Sequence, residues 1–173
     1  IALTGKLRSG KSLLASHAAT AHGFREFAFG DELKAAAHRA FPDVPLTPKP
    51  RSLYQSFGQW ARGHFGANVW IDAVERRLAG ERVIITDMRQ PNEYEWARAN
   101  GYTIIRVTAS DEQRLSRAQA VGDAFTAQDL THETEQHVDG FAVDYELMND
   151  GTVDELVAKF DAIIAEINEV EAV

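Results

Sequence analysis

A run of residues near the start of the chain has the residue types that bind phosphate. The segment Gly5-Lys6-Leu7-Arg8-Ser9-Gly10-Lys11-Ser12 matches G-x-x-x-x-G-K-[ST] at each fixed position. Its glycines let backbone N–H groups turn towards phosphate oxygens, beside a helix N-terminus that favours negative charge. Lys11 would reach the β- and γ-phosphates, and the Ser12 hydroxyl would ligate Mg²⁺. The segment therefore predicts a phosphate-binding loop with contacts from Gly5, Lys6, Arg8, Ser9, Gly10, Lys11 and Ser12.

Two aspartates follow predicted strands and could take part in the same site. Asp87 ends the apolar run Val83–Ile85, where a carboxylate could hold Mg²⁺ through its water shell. Asp31 follows the strand in "FAFGDELK", where it could cap the next helix or accept a proton from a hydroxyl. Ligands of parallel sheets gather beyond the carboxyl ends of the strands. We therefore expect both carboxylates to face one crevice.

Arginines indicate what else the site could bind. Arg51, Arg62 and Arg89 lie in or beside connecting segments, and Arg114 and Arg117 are three residues apart on one predicted helix face. A guanidinium matches the geometry of phosphate, and two phosphates held close together need cations between them. The set favours an anionic ligand beside the loop, with Arg114 and Arg117 closing over it.

A histidine pair later in the chain does not have the spacing of a zinc site. "HETEQH" places His132 and His137 five residues apart. Five residues turn a helix through about 500°, so the two side chains would not share a face. We do not expect a metal at this pair.

The sequence alternates predicted strands and helices. Apolar or β-rich runs predict strands, and amphipathic runs closed by capping residues or glycine predict helices. The strands are residues 1–4, 24–29, 82–87, 103–107 and 145–148; the helices are residues 11–21, 31–41, 52–62, 69–79, 93–101, about 110–122 and a final one that begins after Thr152. Four prolines between Pro42 and Pro50 predict a loop. This order is typical of a parallel sheet covered on both faces, a single three-layer α/β domain over residues 1–173.

Charge and composition narrow the class of protein. The net charge of −8 argues against a general binder of polymeric nucleic acid, which needs a basic face. Residues 1–106 nevertheless carry 15 Lys/Arg against 10 Asp/Glu, whereas residues 107–173 carry 3 against 16. The first part could thus hold a small anion. The sequence has no cysteine, no signal-like start and no apolar run of membrane length, so we expect a cytoplasmic protein that does not bind a membrane. We also expect no binding of polymeric nucleic acid. A homodimer is compatible with the sequence.

The loop alone does not identify a reaction, because switches, motors and kinases share it. The Asn-Lys-x-Asp motif with which GTPases read guanine is absent from the sequence. Large mechanochemical ATPases need a longer chain. Small-molecule kinases remain as the class that this length favours.

Several segments together resemble the phage-type deoxynucleoside monophosphate kinases, a branch of the P-loop kinases that is also similar to dephospho-CoA kinases. The resemblance runs through "GKLRSGKS", "FAFGDELK", "LYQSFGQWAR", "VIITDMRQPNE", "THETE" and "MNDGTVDEL", in that order. It implies a P-loop NTPase fold with a five-stranded parallel sheet, a helical acceptor-binding insertion over about residues 31–80 and a short lid over about residues 110–137.

The resemblance also implies an activity and assigns roles to residues. The activity is transfer of the γ-phosphate of ATP, with Mg²⁺, to a deoxynucleoside 5′-monophosphate. Lys11, Asp31, Arg62, Arg89 and Arg117 would be catalytic; Arg114, Asn149 and Gly151 would join the phosphate-binding loop around ATP; Asp31, Lys34, Arg51, Gln55, Arg62, Trp70, Arg89 and Asn92 would bind the acceptor; and Ser12 and Asp87 would hold the metal.

Two alternatives stay open at the level of sequence. A hydroxyl kinase of the dephospho-CoA kinase type would use Asp31 as its base, since a hydroxyl acceptor must lose a proton. A non-catalytic ATP-binding regulator would keep the loop without turnover. The arginine set favours the monophosphate acceptor, which is already anionic.

Overall fold

The sheet has the predicted number of strands, and all of them run parallel. A computed structural model describes residues 1–120 and 137–171 of the chain. Its strands are β1 (Ala2–Thr4), β2 (Arg25–Phe27), β3 (Val83–Ile85), β4 (Ile104–Thr108) and β5 (Tyr145–Met148), in the spatial order β2-β3-β1-β4-β5. β1 lies at the centre and pairs with β3 and β4. The predicted five-stranded parallel sheet is therefore confirmed.

Helices connect these strands, as the alternating pattern predicts. Those within the described residues are α1 (Lys11–His22), α2 (Phe29–Ala40), α3 (Arg51–Phe65), α4 (Val69–Glu75), α5 (Pro91–Ala99), α6 (Asp111–Ala120) and α7 (Val153–Glu171). The segment with four prolines joins α2 to α3, because proline cannot continue a helix interior. No helix within residues 1–120 and 137–171 combines the length and the apolar character needed to cross a bilayer.

Both faces of the sheet are buried, which gives the predicted three layers. Successive strand residues point to opposite faces. Leu3 and Ile84 accordingly pack in a cluster with α1 and α7, whereas Ala2 and Ile85 pack with α2, α4 and α5 on the other side. Such two-sided burial explains why β3 is wholly apolar rather than alternating, whereas the edge strand β2 carries the exposed Arg25 and Glu26.

Several helix bounds differ from the sequence-based prediction by a few residues, and two of the differences have a clear physical reason. α2 begins at Phe29, because the carboxylate of Asp87 accepts hydrogen bonds from the N–H groups of Phe29 and Gly30. The side chain of Asp87, from the segment after β3, thus caps α2, and Asp31 lies inside this helix. α4 ends at Glu75, because Arg77 and Leu78 bond to carbonyls three residues back before the chain turns at Gly80.

The regions predicted as insertion and lid are described to different extents. α2, α3 and α4 all lie between β2 and β3, in the range predicted for a helical insertion. The predicted lid begins with α6. Its remaining part, with Gly122, "THETE" and most of "HETEQH", lies outside the described residues.

Candidate active site

The phosphate-binding loop has a backbone that requires glycine at two positions. Gly5 has φ 127°, and a Cβ there would lie 2.2 Å from the carbonyl oxygen of Val107 on β4. Gly10 has φ 118°, and its Cβ would lie 2.5 Å from Nδ2 of Asn149. Because residues with a Cβ rarely adopt such angles, the loop can pass this close to its neighbours only with glycine. The fixed glycines of the pattern are thus explained by the packing around β1.

Lys11 lies within the loop that precedes it. The side chain is buried, and its Nζ donates hydrogen bonds to the carbonyl oxygens of Gly5 at 2.6 Å and Lys6 at 2.8 Å. An ammonium at the centre of a ring of backbone groups is a fixed positive charge beside the start of α1. Ser12 follows as the second residue of α1 and is exposed towards a cavity. Lys11 and Ser12 thus line one cavity, as their predicted contacts with phosphate and Mg²⁺ require.

Asn149 and Arg117 brace the loop from the far end of the sheet. Asn149 is buried, and its Nδ2 donates to the carbonyl oxygen of Ser9 at 2.7 Å. Arg117 on α6 donates to Oδ1 of Asn149 at 3.0 Å and to its carbonyl oxygen at 3.1 Å. Asn149, which was predicted to contact ATP, holds the loop in place through its hydrogen bond to Ser9. Arg117 both braces the loop and lines the cavity, as its predicted catalytic role requires.

Arg114 does not close over the cavity, which corrects its predicted role. Its side chain is only 1% exposed. Nε donates to the carbonyl oxygen of Leu7 at 2.7 Å, and Nη1 pairs with Asp111 at 2.6 Å. The rotation of α6 turns this arginine towards the protein interior, whereas Arg117, one turn later, reaches the cavity. Arg114 therefore supports the loop from below.

Two other residues predicted to contact ATP also lie away from the cavity. Lys6 pairs with Asp139 at 2.8 Å, so its charge points to the segment that precedes β5. Gly151 precedes α7, and a Cβ there would lie 2.0 Å from Oε2 of Glu155. Glu155 occupies this place because its carboxylate accepts a hydrogen bond from the N–H of Thr152 at 2.8 Å. Gly151 is thus explained by helix capping.

A cavity of about 1100 Å³ opens beside the loop. It is bounded by the loop, the start of α2, α3, the segment after β3 and α6, so the carboxyl ends of β1 and β3 lead into it. The predicted residues that line it are Arg8, Gly10, Lys11, Ser12, Asp31, Lys34, Arg51, Gln55, Arg62, Asp87, Arg89 and Arg117. Most of the predicted site is therefore brought to one place.

Asp87 has the environment of a carboxylate that could hold a cation. Its two oxygens accept the N–H groups of Phe29 at 2.9 Å and Gly30 at 2.8 Å. Burial raises the pKa of Asp87 and nearby Asp31 adds to the effect, while the Gly30 N–H, the Arg89 charge and the Phe29 N–H oppose it. Each oxygen keeps a further lone pair. Together with the Ser12 hydroxyl on the same cavity, this oxygen donor set suits Mg²⁺.

Glu93 is part of the cavity wall, and the sequence-based prediction missed it. It is 4% exposed, and its Oε2 accepts the N–H groups of Arg89 at 2.8 Å and Gln90 at 2.9 Å. Its Oε1 lies 3.9 Å from Nη2 of Arg62. Burial, and then the charge of Asp87, raise the pKa of Glu93 to about 7. The signal was present as Gln90-Pro-Asn-Glu93, a capping-box spacing with proline at the first helical position.

Trp70 and Asn92, both predicted to bind the acceptor, have structural contacts instead. Trp70 is 6% exposed and packs in the core against Phe57. Asn92 donates from Nδ2 to the carbonyl oxygen of Ala67 and to Oδ1 of Asn68, which ties α5 to the α3–α4 connection. Neither side chain lines the cavity. Which face of α4 is buried depends on distant neighbours, so local spacing could not place Trp70.

The charge of the cavity is predominantly positive. Among the described residues that line it, the cationic side chains are Arg8, Lys11, Lys34, Lys49, Arg51, Arg62, Arg89 and Arg117, and the carboxylates are Glu26, Asp31, Asp87 and Glu93. Some of these charges are paired, because Lys34 donates to Asp31 at 2.6 Å and Arg62 lies 3.9 Å from Glu93. The remaining excess of cations sits in a chain whose net charge is −8. The cavity is therefore built for anions.

Solved structures with a similar fold include two shikimate kinases and a gluconokinase. Shikimate kinase from Aquifex aeolicus VF5 superposes with a TM-score of 0.56 at 15% identity, over 98% of this chain and 97% of the other. A gluconokinase from Sinorhizobium meliloti 1021 gives 0.62 at 17% identity, over 99% and 94%. Shikimate kinase from Acinetobacter baumannii, in complex with shikimate, gives 0.58 at 12% identity, over 97% and 92%. At such identities the likeness concerns the fold.

Comparison by sequence identifies a family. A search of curated proteins gives no significant match. The profile of the AAA domain family, AAA_18, matches residues 1–137, which include the phosphate-binding loop, Asp87 and α6. The chain therefore belongs to the AAA domain family, and its fold is that of the P-loop kinases.

Proposed function

We propose that this protein transfers the γ-phosphate of ATP to a deoxynucleoside 5′-monophosphate. The observation that carries the proposal is the convergence of arginines from three separate regions on one cavity beside the phosphate-binding loop. Arg51 and Arg62 come from α3, Arg89 from the segment after β3, and Arg117 from α6. The resemblance of the sequence to phage-type deoxynucleoside monophosphate kinases supports the same acceptor.

The distribution of charge supports an acceptor that carries a phosphate. A monophosphate already offers an anionic oxygen as nucleophile, so it needs positioning and charge compensation more than a base. Guanidinium groups supply both, since they bind phosphate oxygens in pairs with fixed geometry. Arg62 and Arg89 line the same cavity as Lys11, and we assign them to the acceptor. A neutral hydroxyl acceptor would leave most of these charges without a function.

The donor side has groups suited to ATP and Mg²⁺. The loop backbone and Lys11 would bind the β- and γ-phosphates, and Ser12 and Asp87 are the side chains that would hold the metal. When bound, Mg²⁺ neutralises charge on the phosphates. Arg117 is anchored through Asn149 to the loop, so its guanidinium has a fixed position from which to stabilise charge on the transferred group.

Tyr54 offers a face on which a base could stack. It lines the cavity, and its hydroxyl lies 2.7 Å from Nε2 of His38 on α2, which fixes the ring. A fixed aromatic ring costs little entropy when a base stacks on it. Trp70, which was also predicted to bind the acceptor, is buried in the core instead.

A hydroxyl acceptor is the second candidate, because Asp31 lies on the wall of the same cavity. Its carboxylate could accept the proton that a hydroxyl loses. Two of the structural neighbours are a shikimate kinase and a gluconokinase. They share the fold, and the arginines favour the monophosphate.

The test is ADP release from ATP and Mg²⁺ with each deoxynucleoside monophosphate, alongside dephospho-CoA, shikimate and gluconate. We expect turnover with one or more of the monophosphates. Turnover only with a hydroxyl compound would overturn the proposal and assign Asp31 as the base. ATP binding without turnover on the whole panel would favour a regulator.

A further inference from the structure

A second cluster of metal-binding side chains lies at the contact between α1 and α7. Nε2 of His17 lies 2.6 Å from Oδ1 of Asp161, and Nε2 of His22 lies 2.7 Å from the same oxygen. The three atoms all lie within 4.8 Å of one another. None of these side chains lines the cavity of the proposed active site. The proposed phosphoryl transfer therefore gives them no role.

The fold fixes the three side chains on a rigid support. α1 and α7 pack on the same face of the sheet through a buried cluster that includes Leu14 and Phe160. His17 also contacts the ring of Phe160 edge-on, with centroids 6.3 Å apart. His22 is the last residue of α1, where the helix ends at Gly23. The histidines are five residues apart, which does not place two side chains on one helix face. Both nevertheless contact Asp161, because its Oδ1 lies between their two Nε2 atoms.

We propose that His17, His22 and Asp161 bind a divalent transition-metal ion of the Zn²⁺ class, which holds the end of α1 against α7. Two imidazoles and one carboxylate are a common set of protein ligands for such ions, with the remaining positions open to water. The side chains are partly buried, so water can complete the coordination.

The geometry needs only a small adjustment to hold the ion. Zinc binds histidine nitrogen at about 2.0–2.1 Å and carboxylate oxygen at about 2.0–2.2 Å, which places tetrahedral ligand atoms about 3.3 Å apart. The two N···O distances of 2.6 and 2.7 Å would have to open by about 0.6 Å. Rotation of partly exposed side chains provides this. On metal binding, any proton on Nε2 passes to solvent, Nε2 ligates the ion with its lone pair, and each neutral ring carries its one proton on Nδ1.

The surrounding charge favours a cation. α7 carries six Asp/Glu residues and one lysine over Val153–Glu171. Such an excess of negative charge raises the local concentration of cations.

The site lies apart from the proposed nucleotide site, because His22 is separated from Lys11 by nearly the full length of α1, about 16 Å at the helical rise.

The experiment is titration of the full chain with Zn²⁺ and Co²⁺ in the presence of excess Mg²⁺, which occupies oxygen-only sites. We expect one ion to bind per chain. Bound Co²⁺ should show the visible absorption of a site with low coordination number, and bound Zn²⁺ should raise the melting temperature of the protein. His17→Ala and His22→Ala should each weaken Zn²⁺ affinity at least about tenfold. The matched control is His64→Ala, an exposed histidine on α3 outside the cluster, which should bind as the unchanged chain does.

A further variant separates a metal site from a simple hydrogen-bonded clamp. Asp161→Asn keeps an oxygen that accepts hydrogen bonds from both imidazoles, but removes the ligand charge. We expect it to fold normally and to lose at least about tenfold in Zn²⁺ affinity. Zn²⁺ affinity equal in the unchanged chain and in all three cluster variants, or no binding of one ion per chain, would overturn the proposal. Because the readout is metal binding, its failure is distinguishable from failure of the proposed kinase activity.

Discussion

Lys11 carries the charge on which the proposed chemistry most depends. Its ammonium is held among the loop carbonyls, beside the position that the transferred phosphoryl group would occupy. Lys11→Ala should lower kcat about 100-fold or more, because a preorganised charge at a developing anion is lost. Steady-state ADP release measures this. Lys159→Ala, which removes an exposed lysine on α7, is the control and should leave kcat unchanged; a near-normal rate in Lys11→Ala would contradict the assignment of the loop.

Arg62 should act on the acceptor rather than on ATP. It lies on α3 and lines the cavity. Arg62→Ala should raise the KM of the acceptor about 10- to 100-fold, the value of a charged hydrogen bond, with little change in the KM of ATP. Initial rates with each substrate varied in turn provide the test. Arg76→Ala, at the exposed end of α4, is the matched control. Equal increases in both KM values would remove Arg62 from the acceptor site.

Glu93 should make folding stability depend on pH. Burial raises its pKa from 4.5 to about 7, so the native chain holds a proton that the unfolded chain has released between these values. The stabilisation is present in full below about pH 4.5 and is lost as pH rises through about 7, by an amount on the order of 3 kcal/mol. Glu93→Gln resembles the protonated form and should lose this dependence.

Urea unfolding at several pH values between 5 and 8 measures the effect. Relative to the unchanged chain, Glu93→Gln should gain stability as the pH rises through this window. The control is Glu95→Gln, an exposed neighbour on α5, which should follow the unchanged chain. Identical pH profiles for the two variants would show that Glu93 titrates normally.

The loop between β1 and α1 should tolerate a methyl group far less than a helix does. Gly5→Ala would place a Cβ against the carbonyl oxygen of Val107 at a φ of 127°. Unfavourable φ and the clash together should cost about 2 kcal/mol or more. Gly63, inside α3, has open space around its Cβ position. Gly63→Ala should instead stabilise by about 0.5–1 kcal/mol, because alanine favours helix. Denaturant unfolding compares the two, and a milder effect for Gly5→Ala than for Gly63→Ala would contradict the account of the loop.

Elements whose signals are local could be predicted from the sequence. The five strands, the loop and α1 follow from apolar runs and a fixed pattern of glycines. What the sequence did not show depends on partners far along the chain. Asn149 bonds to Ser9 across 140 positions, and Arg114 to Leu7 across 107. Such contacts exist only once the sheet has assembled, so Asn149 and Arg114 were expected at the ligand although both support the loop.

The whole domain should be stabilised by the triphosphate part of ATP. A ligand that binds only the native state adds about 2.7 kcal/mol when present at 100 times its Kd. For a chain of this size, that corresponds to a rise in melting temperature of about 5–10 °C. Calorimetry with ATP and Mg²⁺ should show it, and adenosine at equal concentration should not. A similar shift with adenosine would mean that binding depends on the base rather than on the phosphates.

The brace between Ser9 and Asn149 also has a consequence for the order of events during protein synthesis. The glycine loop is translated well before Arg117 and Asn149, which hold it in place. A nascent chain that ends before Asn149 has the loop residues without the amide that fixes the carbonyl of Ser9. We therefore expect nucleotide binding by the growing chain to await Asn149, directly after β5, long after the loop itself has been translated.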